Sequence, residues 1–83
     1  MAGVSWWDVI PGYIKRLEEK IVILEEEKRS AEEAMENGIE TVIYGMRDII
    51  GRGKRLLDDY EQGKEIDHGR LMITYEDLKD WSI

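Results

Sequence analysis

The sequence contains no cysteine, one proline and one histidine, and these shortages exclude whole classes of site. Without cysteine, the chain can form no disulfide and offers no thiolate to a zinc ion. The only histidine, His68, has no second histidine or nucleophile to work with, and Asp67-His68-Gly69 is typical of a turn. Thiol catalysis and histidine-pair chemistry are therefore excluded.

Long apolar runs and a strongly basic surface are also missing. The apolar runs are too short to span a membrane, and no basic segment precedes an apolar stretch, so we expect a cytoplasmic protein without membrane contact. The formal net charge of −7 argues against direct nucleic-acid binding, because binding to phosphates requires clustered lysine and arginine. The acidic residues are spread along the chain, as expected for a solvated surface.

What the sequence does have is apolar residues at heptad spacing, in two runs that meet at Asn37-Gly38. Steps of three and four return side chains to one face of an α-helix, so the pattern predicts an antiparallel helical hairpin. Asn37-Gly38 is a typical helix stop and places the helices at residues 11–36 and 39–61. Ser30-Ala-Glu-Glu33 has the spacing of a capping box and offers a rival boundary.

The two ends of the chain are less regular. Ser5 can cap a helical turn, and Pro11 suits a first helical turn, so we expect residues 1–10 to form an aromatic turn before helix one. Gly63 is expected to end helix two. For residues 62–83 we predict a turn followed by a short helix from Thr74. The alternative to the turn is a short β-hairpin over residues 64–74. The hairpin should gather the aromatic residues Trp6, Trp7, Tyr60 and Trp81 at one end.

Both helices carry more apolar surface than one partner helix can cover. A core of this size rarely supplies more than about 3–5 kcal/mol, so we predict that one all-α domain, residues 1–83, assembles as a homodimer or larger bundle. Lys28 is a lone charge on the apolar face and is expected to fix the register or oligomer state. The predicted oligomer interface comprises Ile21, Val22, Ile23, Leu24, Lys28, Val42, Ile43, Met46, Ile49, Ile50 and Leu57.

Aromatic and basic residues are the candidates for binding another protein. Tryptophan is enriched at the centres of protein interfaces. The segment Gly51–Arg55 has the composition of a phosphate-binding loop but lacks its motif and lies within a predicted helix. Its basic residues are therefore interpreted as surface charge pairs or as a docking patch for an acidic partner. The candidates are Trp6, Trp7, Trp81, Tyr44, Arg52, Lys54 and Arg55.

One set of carboxylates has the spacing of a metal site. Glu32, Glu33 and Glu36 fall within a single helical turn, and Asp58 and Glu61 follow on the next helix. This pattern resembles the Mg²⁺-binding carboxylates of the all-α nucleotide pyrophosphohydrolases (MazG-type fold), and the resemblance implies hydrolysis of nucleotides. That family's second half reads E-x-x-D, whereas this chain reads D-x-x-E. Within one hairpin the two halves would lie about 30 Å apart, so only an oligomer could unite them.

The sequence thus favours a non-enzymatic, acidic protein-binding module without cofactor or metal: an adaptor, regulator or inhibitor of the kind that phages and mobile elements carry. One version is a nucleic-acid mimic, in which helix-one glutamates replace phosphates. The alternative is a Mg²⁺-dependent nucleotide pyrophosphohydrolase that uses the carboxylates named above across an oligomer.

Overall fold

The computed structural model describes residues 5–82 and consists of three α-helices. Helix α1 spans Trp6–Ser30, α2 spans Glu33–Glu61 and α3 spans His68–Ser82. No strand occurs within residues 5–82, and each helix packs against the other two. This part of the chain is therefore all-α, as the heptad pattern predicted.

Helix α1 includes the residues that were predicted to form a separate turn before Pro11. Its first turn is capped by Ser5, whose Oγ accepts a hydrogen bond from the backbone amide of Trp7 at 3.2 Å, so the predicted cap is confirmed. Pro11 lies in the second turn and donates no bond to the preceding turn. Ile10 and Ile14, on either side of it, are buried in the core, and this packing holds the helix continuous.

The predicted boundary at Asn37-Gly38 is wrong, and the rival boundary at Ser30–Glu33 is where the chain reverses. Ala31 and Glu32 are extended, with ψ of 150° and 156°. Asn37 and Gly38 lie in the first turns of α2, where the Asn37 carbonyl accepts a bond from the Thr41 hydroxyl at 3.0 Å. Both residue types tolerate the left-handed conformation without requiring it, so continued helical bonding prevails.

The connection from α2 to α3 contains no hairpin. Helix α2 ends at Glu61 as predicted, and Gly63 adopts φ of 72°, a conformation that favours glycine. The β-hairpin considered for residues 64–74 is wrong, because α3 begins at His68 and the Asp67 carboxylate accepts the Gly69 amide at 3.0 Å. The predicted start of the last helix at Thr74 is also wrong, because Thr74 is buried in the middle of α3.

Helices α1 and α2 lie side by side in opposite directions. The contacts between them descend along α1 as they ascend along α2, from Lys28–Glu40 through Glu25–Arg47 and Glu18–Lys54 to Trp7–Tyr60. Helix α3 lies in the groove between them, beginning beside Trp6 and ending where Trp81 packs on Gly45. The core residues are Ile10, Ile14, Leu17, Ile21, Ile43, Met46, Ile49, Ile50, Leu56, Leu71 and Leu78.

The α1–α2 pair continues past the end of α3. The carbonyl of Trp81 accepts a hydrogen bond from Lys20 Nζ at 3.2 Å, so the last turn of α3 lies level with Lys20 and Gly45. We call residues 21–44, which project beyond this level, the tip, and the three-helix remainder the body. The described chain is elongated, with extents of 47 × 26 × 18 Å.

Candidate protein-binding surface

An apolar groove runs between α1 and α2 where α3 stops. It encloses about 230 Å³ and is lined by Lys20, Ile23, Leu24, Val42 and Met46, which we call the tip groove. Ile23 is 55% exposed and Val42 38% exposed, whereas Met46 is buried at the floor. An apolar floor with exposed apolar walls is typical of a surface that binds another protein.

The groove follows from the packing of the body. There, Leu71 and Leu78 of α3 are buried between α1 and α2. In the tip, no residue among 5–82 takes the corresponding place. Trp81 marks the transition, since its ring lies against Gly45 and remains 37% exposed.

Met35 extends the same apolar surface and was not among the predicted site residues. It lies one heptad before Val42, on the same face of α2, and is 63% exposed. The sequence pattern placed Met35 on helix one, because it located the chain reversal after this residue instead of before it.

The opposite side of the α1–α2 pair carries charged residues across the seam between the helices. Glu25 pairs with Arg47, and Lys54 Nζ lies 3.9 Å from Glu18 Oε1. Val22 is exposed between these two pairs and borders a shallow depression. This face is therefore more polar than the tip groove, although the same four-residue apolar run, Ile21–Leu24, supplies both.

The structure divides the predicted oligomer interface into two groups. One group packs inside the chain's own core: Ile21, Ile43, Met46, Ile49 and Ile50. The second group is exposed or partly exposed: Val22, Ile23, Leu24, Lys28, Val42 and Leu57. Lys28 has a partner within the chain, because its Nζ lies 3.9 Å from Glu40 Oε1. Apart from Met46, which forms the floor of the tip groove, only the second group can contribute side chains to an assembly without rearrangement of the core.

The predicted gathering of all tryptophans at one end is wrong for Trp81. Trp7 stacks on Tyr60 with ring centroids 4.2 Å apart, and Trp6 stacks on Tyr75 at 5.7 Å. Trp81 lies thirteen residues beyond His68, or roughly 20 Å along α3, because that helix is much longer than predicted. Trp6 and Trp7 are partly buried and hold the ends of the helices together.

The aromatic end includes one tyrosine, Tyr75, whose pKa is shifted. A side-chain hydrogen bond with Tyr13, together with burial and nearby negative charge, raises the pKa of Tyr75 above its ordinary value. The two rings meet edge to face with centroids 5.9 Å apart. The raised pKa favours the protonated form of this phenol, whose ring also stacks on Trp6.

The polar candidates are mostly engaged on the surface. Tyr44 is 61% exposed, and its hydroxyl donates to Glu40 at 3.3 Å. Arg52 donates to Asp48 at 2.7 Å and to Asp77 at 3.4 Å. Lys54 pairs with Glu18, whereas Arg55 forms no ion pair with any residue among 5–82. Two of the three basic candidates, Arg52 and Lys54, are thus paired with nearby carboxylates, which agrees with their interpretation as surface charge pairs.

The structure does not bring the metal-site carboxylates together within one chain. Glu33 and Glu36 lie in the first turn of α2 and Glu32 just before it, whereas Asp58 and Glu61 lie at its far end. The separation from Glu36 to Asp58 is about 33 Å along the helix. Within residues 5–82 there is no group of three or more side chains that could hold a metal ion.

Comparisons with known proteins leave the fold and the groove as the basis for assigning function. No protein-family model matches the sequence, and no curated protein or solved structure matches it. In the part of the chain that the structure describes, no helix is both long and apolar enough to span a membrane.

Proposed function

We propose that this protein is a non-enzymatic protein-binding module that accepts an apolar helix of a partner in the tip groove. The observation that supports this proposal is that α3 covers only part of the groove between α1 and α2. In the body, a third helix fills the groove between α1 and α2; in the tip, Ile23 and Val42 are exposed and Leu24 is only partly buried. A partner helix placed there would continue the path of α3 and extend three-helix packing into the tip.

The chemistry of the groove fits recognition of an amphipathic helix. Such helices bind by laying an apolar stripe into a groove, with anchors at intervals of three and four residues. The uncovered part of α1, residues 21–30, is about 15 Å long and matches two to three helical turns. Roughly 300 Å² of apolar surface on Ile23, Met35, Val42 and Trp81 would be covered.

In this proposal the module is an adaptor, regulator or inhibitor in the cytoplasm, and it acts by binding a helix of its partner in the tip groove. We also retain the prediction that the antiparallel hairpin assembles as a dimer or larger bundle. Because α3 and the core occupy much of the predicted interface, the tip is the part of the hairpin best suited to that assembly.

Site-specific photo-cross-linking in the native host tests this function. A benzophenone amino acid at position 42 should give one defined covalent adduct with another protein, and Ile23→Glu in the same chain should remove it. Tyr44 supplies the matched control, since it is exposed two residues away on the opposite face of α2. Equal adducts from both positions, or an adduct that survives Ile23→Glu, would contradict binding in the tip groove.

A further inference from the structure

We propose that, when no partner is bound, the tip groove is closed by the tip of a second copy of this chain in an antiparallel, tip-to-tip homodimer. The inference rests on the proposed function, because it names what occupies the same groove in the unbound protein. Partner binding would then require the dimer to dissociate.

The shape of the chain favours tips over whole hairpins as the contact. Each tip is a layer of two helices with one apolar face, and two such layers packed face to face make a four-helix section. In the body, α3 already fills the groove, so a second copy cannot extend the contact in that direction. Trp81 lies at the boundary, where the end of the second tip would meet it.

Charge complementarity favours the antiparallel direction. Lys20 lines the α3 end of the groove, and Glu27 is exposed seven residues further along the same face of α1. An antiparallel arrangement brings the α3 end of one groove to the outer end of the other, so each Lys20 lies beside a Glu27 of the second copy. In a parallel two-fold dimer, α1 of one copy would instead face α2 of the other, so Lys20 would have no Glu27 beside it.

The available area sets the strength of this dimer. The exposed apolar residues and their polar rim amount to roughly 500 Å² per copy, or about 1,000 Å² in total. Specific interfaces begin near this size, and those at the lower end are weak and transient. We therefore expect a dissociation constant in the micromolar range, which a tighter-binding partner can overcome.

The length of the dimer distinguishes this arrangement from others. The described chain is 47 Å long, so overlap of the tips alone gives a particle about 80 Å long. A dimer formed along the full hairpins would stay near the length of one chain. Small-angle X-ray scattering, with sedimentation equilibrium over about 5–500 µM, should show concentration-dependent dimers of the longer dimension.

Matched variants test the contact itself. Val42→Glu should abolish the dimer, whereas Tyr44→Glu, on the opposite face, should leave it intact. Lys20→Glu should weaken dimerisation about tenfold, and the double variant Lys20→Glu with Glu27→Lys should restore it. Circular dichroism of each variant checks that the helices remain folded, since Lys20 also bonds to the carbonyl of Trp81.

The outcomes separate this inference from the proposed function. A protein that stays monomeric at 500 µM, a dimer no longer than one chain, or failure of the charge-swapped pair to restore dimers would overturn the homodimer. A defined partner adduct from position 42 in cells would still support the helix-binding function in that case. Conversely, a purified chain that cross-links from position 42 to its own copy, without any partner adduct in cells, would support the dimer and contradict the proposed function.

Discussion

At the scale of single residues, two glycines set how closely α3 approaches the rest of the chain. A Cβ atom at Gly45 would lie 2.7 Å from Cη2 of Trp81, and one at Gly53 would lie 3.1 Å from the Cδ1 atoms of Ile14 and Leu78. Gly51, in the same helix, would place its Cβ in open space. Gly45 and Gly53 therefore allow close packing, whereas Gly51 weakens the helix without any packing gain.

Alanine substitutions at Gly45 and Gly51 form a matched test of this packing. We expect Gly51→Ala to raise the free energy of unfolding by about 0.5–1 kcal/mol, because alanine favours the helix and has room there. Gly45→Ala gains the same propensity but must displace the ring of Trp81, so its stability should not exceed that of the parent.

Urea unfolding measures both stabilities, and hydrogen exchange should be faster in the last turn of α3 only for Gly45→Ala. An equal gain in the two variants, with unchanged exchange in α3, would show that the Trp81–Gly45 contact contributes nothing.

At the scale of helices, periodicity located α1 and α2 but not their ends. Apolar residues repeat with the same spacing on both sides of Ala31-Glu32, so the pattern alone cannot say where the chain reverses. Asn37-Gly38 was the stronger local signal, yet both residues fit within a helix. The chain reverses at a two-residue extended link. The capping-box spacing of Ser30-Ala-Glu-Glu33 marks this place in the sequence, but the box does not form, because the Ser30 hydroxyl donates to the Glu27 carbonyl.

The length of α3 was underestimated for a different reason. Two of its buried positions hold Thr74 and Ser82, so its apolar face is interrupted by small polar residues. The Ser82 hydroxyl donates to the Lys79 carbonyl at 3.0 Å, which allows it to be buried without another partner. Ile23 and Val42 were identified as interface residues from the sequence, but their exposure depends on how far the described part of α3 reaches along the groove.

Lys28 interrupts the apolar face between α1 and α2, and its substitution shows whether this charge lowers the free energy of unfolding. Its ion pair with Glu40 is long and partly exposed, and such pairs contribute little to stability. We expect Lys28→Ile to stabilise the chain by about 1 kcal/mol, because isoleucine would bury apolar surface against α2.

Lys28→Gln is the control, since it removes the ion pair without adding a branched apolar side chain. Its stability should stay within about 0.5 kcal/mol of the parent in thermal unfolding. A loss of stability in both variants would instead show that the pair with Glu40 holds the tip together. Sedimentation of Lys28→Ile reports at the same time whether this lysine influences subunit number.

At the scale of the whole molecule, the elongated shape separates a body with a three-helix core from a two-helix tip. The same shape places the two acidic clusters far apart. Glu33 and Glu36 lie at the tip, and Asp58 and Glu61 lie at the end of the body. In a tip-to-tip dimer, the tip of one copy reaches the level of Gly45 in the other, still about 20 Å short of Asp58. Neither the chain nor this dimer can therefore assemble the carboxylates into one Mg²⁺ site.

Magnesium titration tests whether the two acidic clusters form a metal site. It thereby decides between a protein-binding module and a Mg²⁺-dependent nucleotide pyrophosphohydrolase. A site formed from both clusters would stabilise the fold by mass action, by about 1.4 kcal/mol when Mg²⁺ is tenfold above its dissociation constant. We expect no change in melting temperature with millimolar Mg²⁺ and no hydrolysis of nucleoside triphosphates. Glu33→Gln and the control Glu26→Gln should then melt alike with and without the metal. Stabilisation that Glu33→Gln removes and Glu26→Gln retains, accompanied by nucleotide turnover, would require carboxylates from the tip and the body to meet between copies. That result would replace both the binding-module function and the tip-to-tip dimer with an enzyme built from full-length antiparallel hairpins.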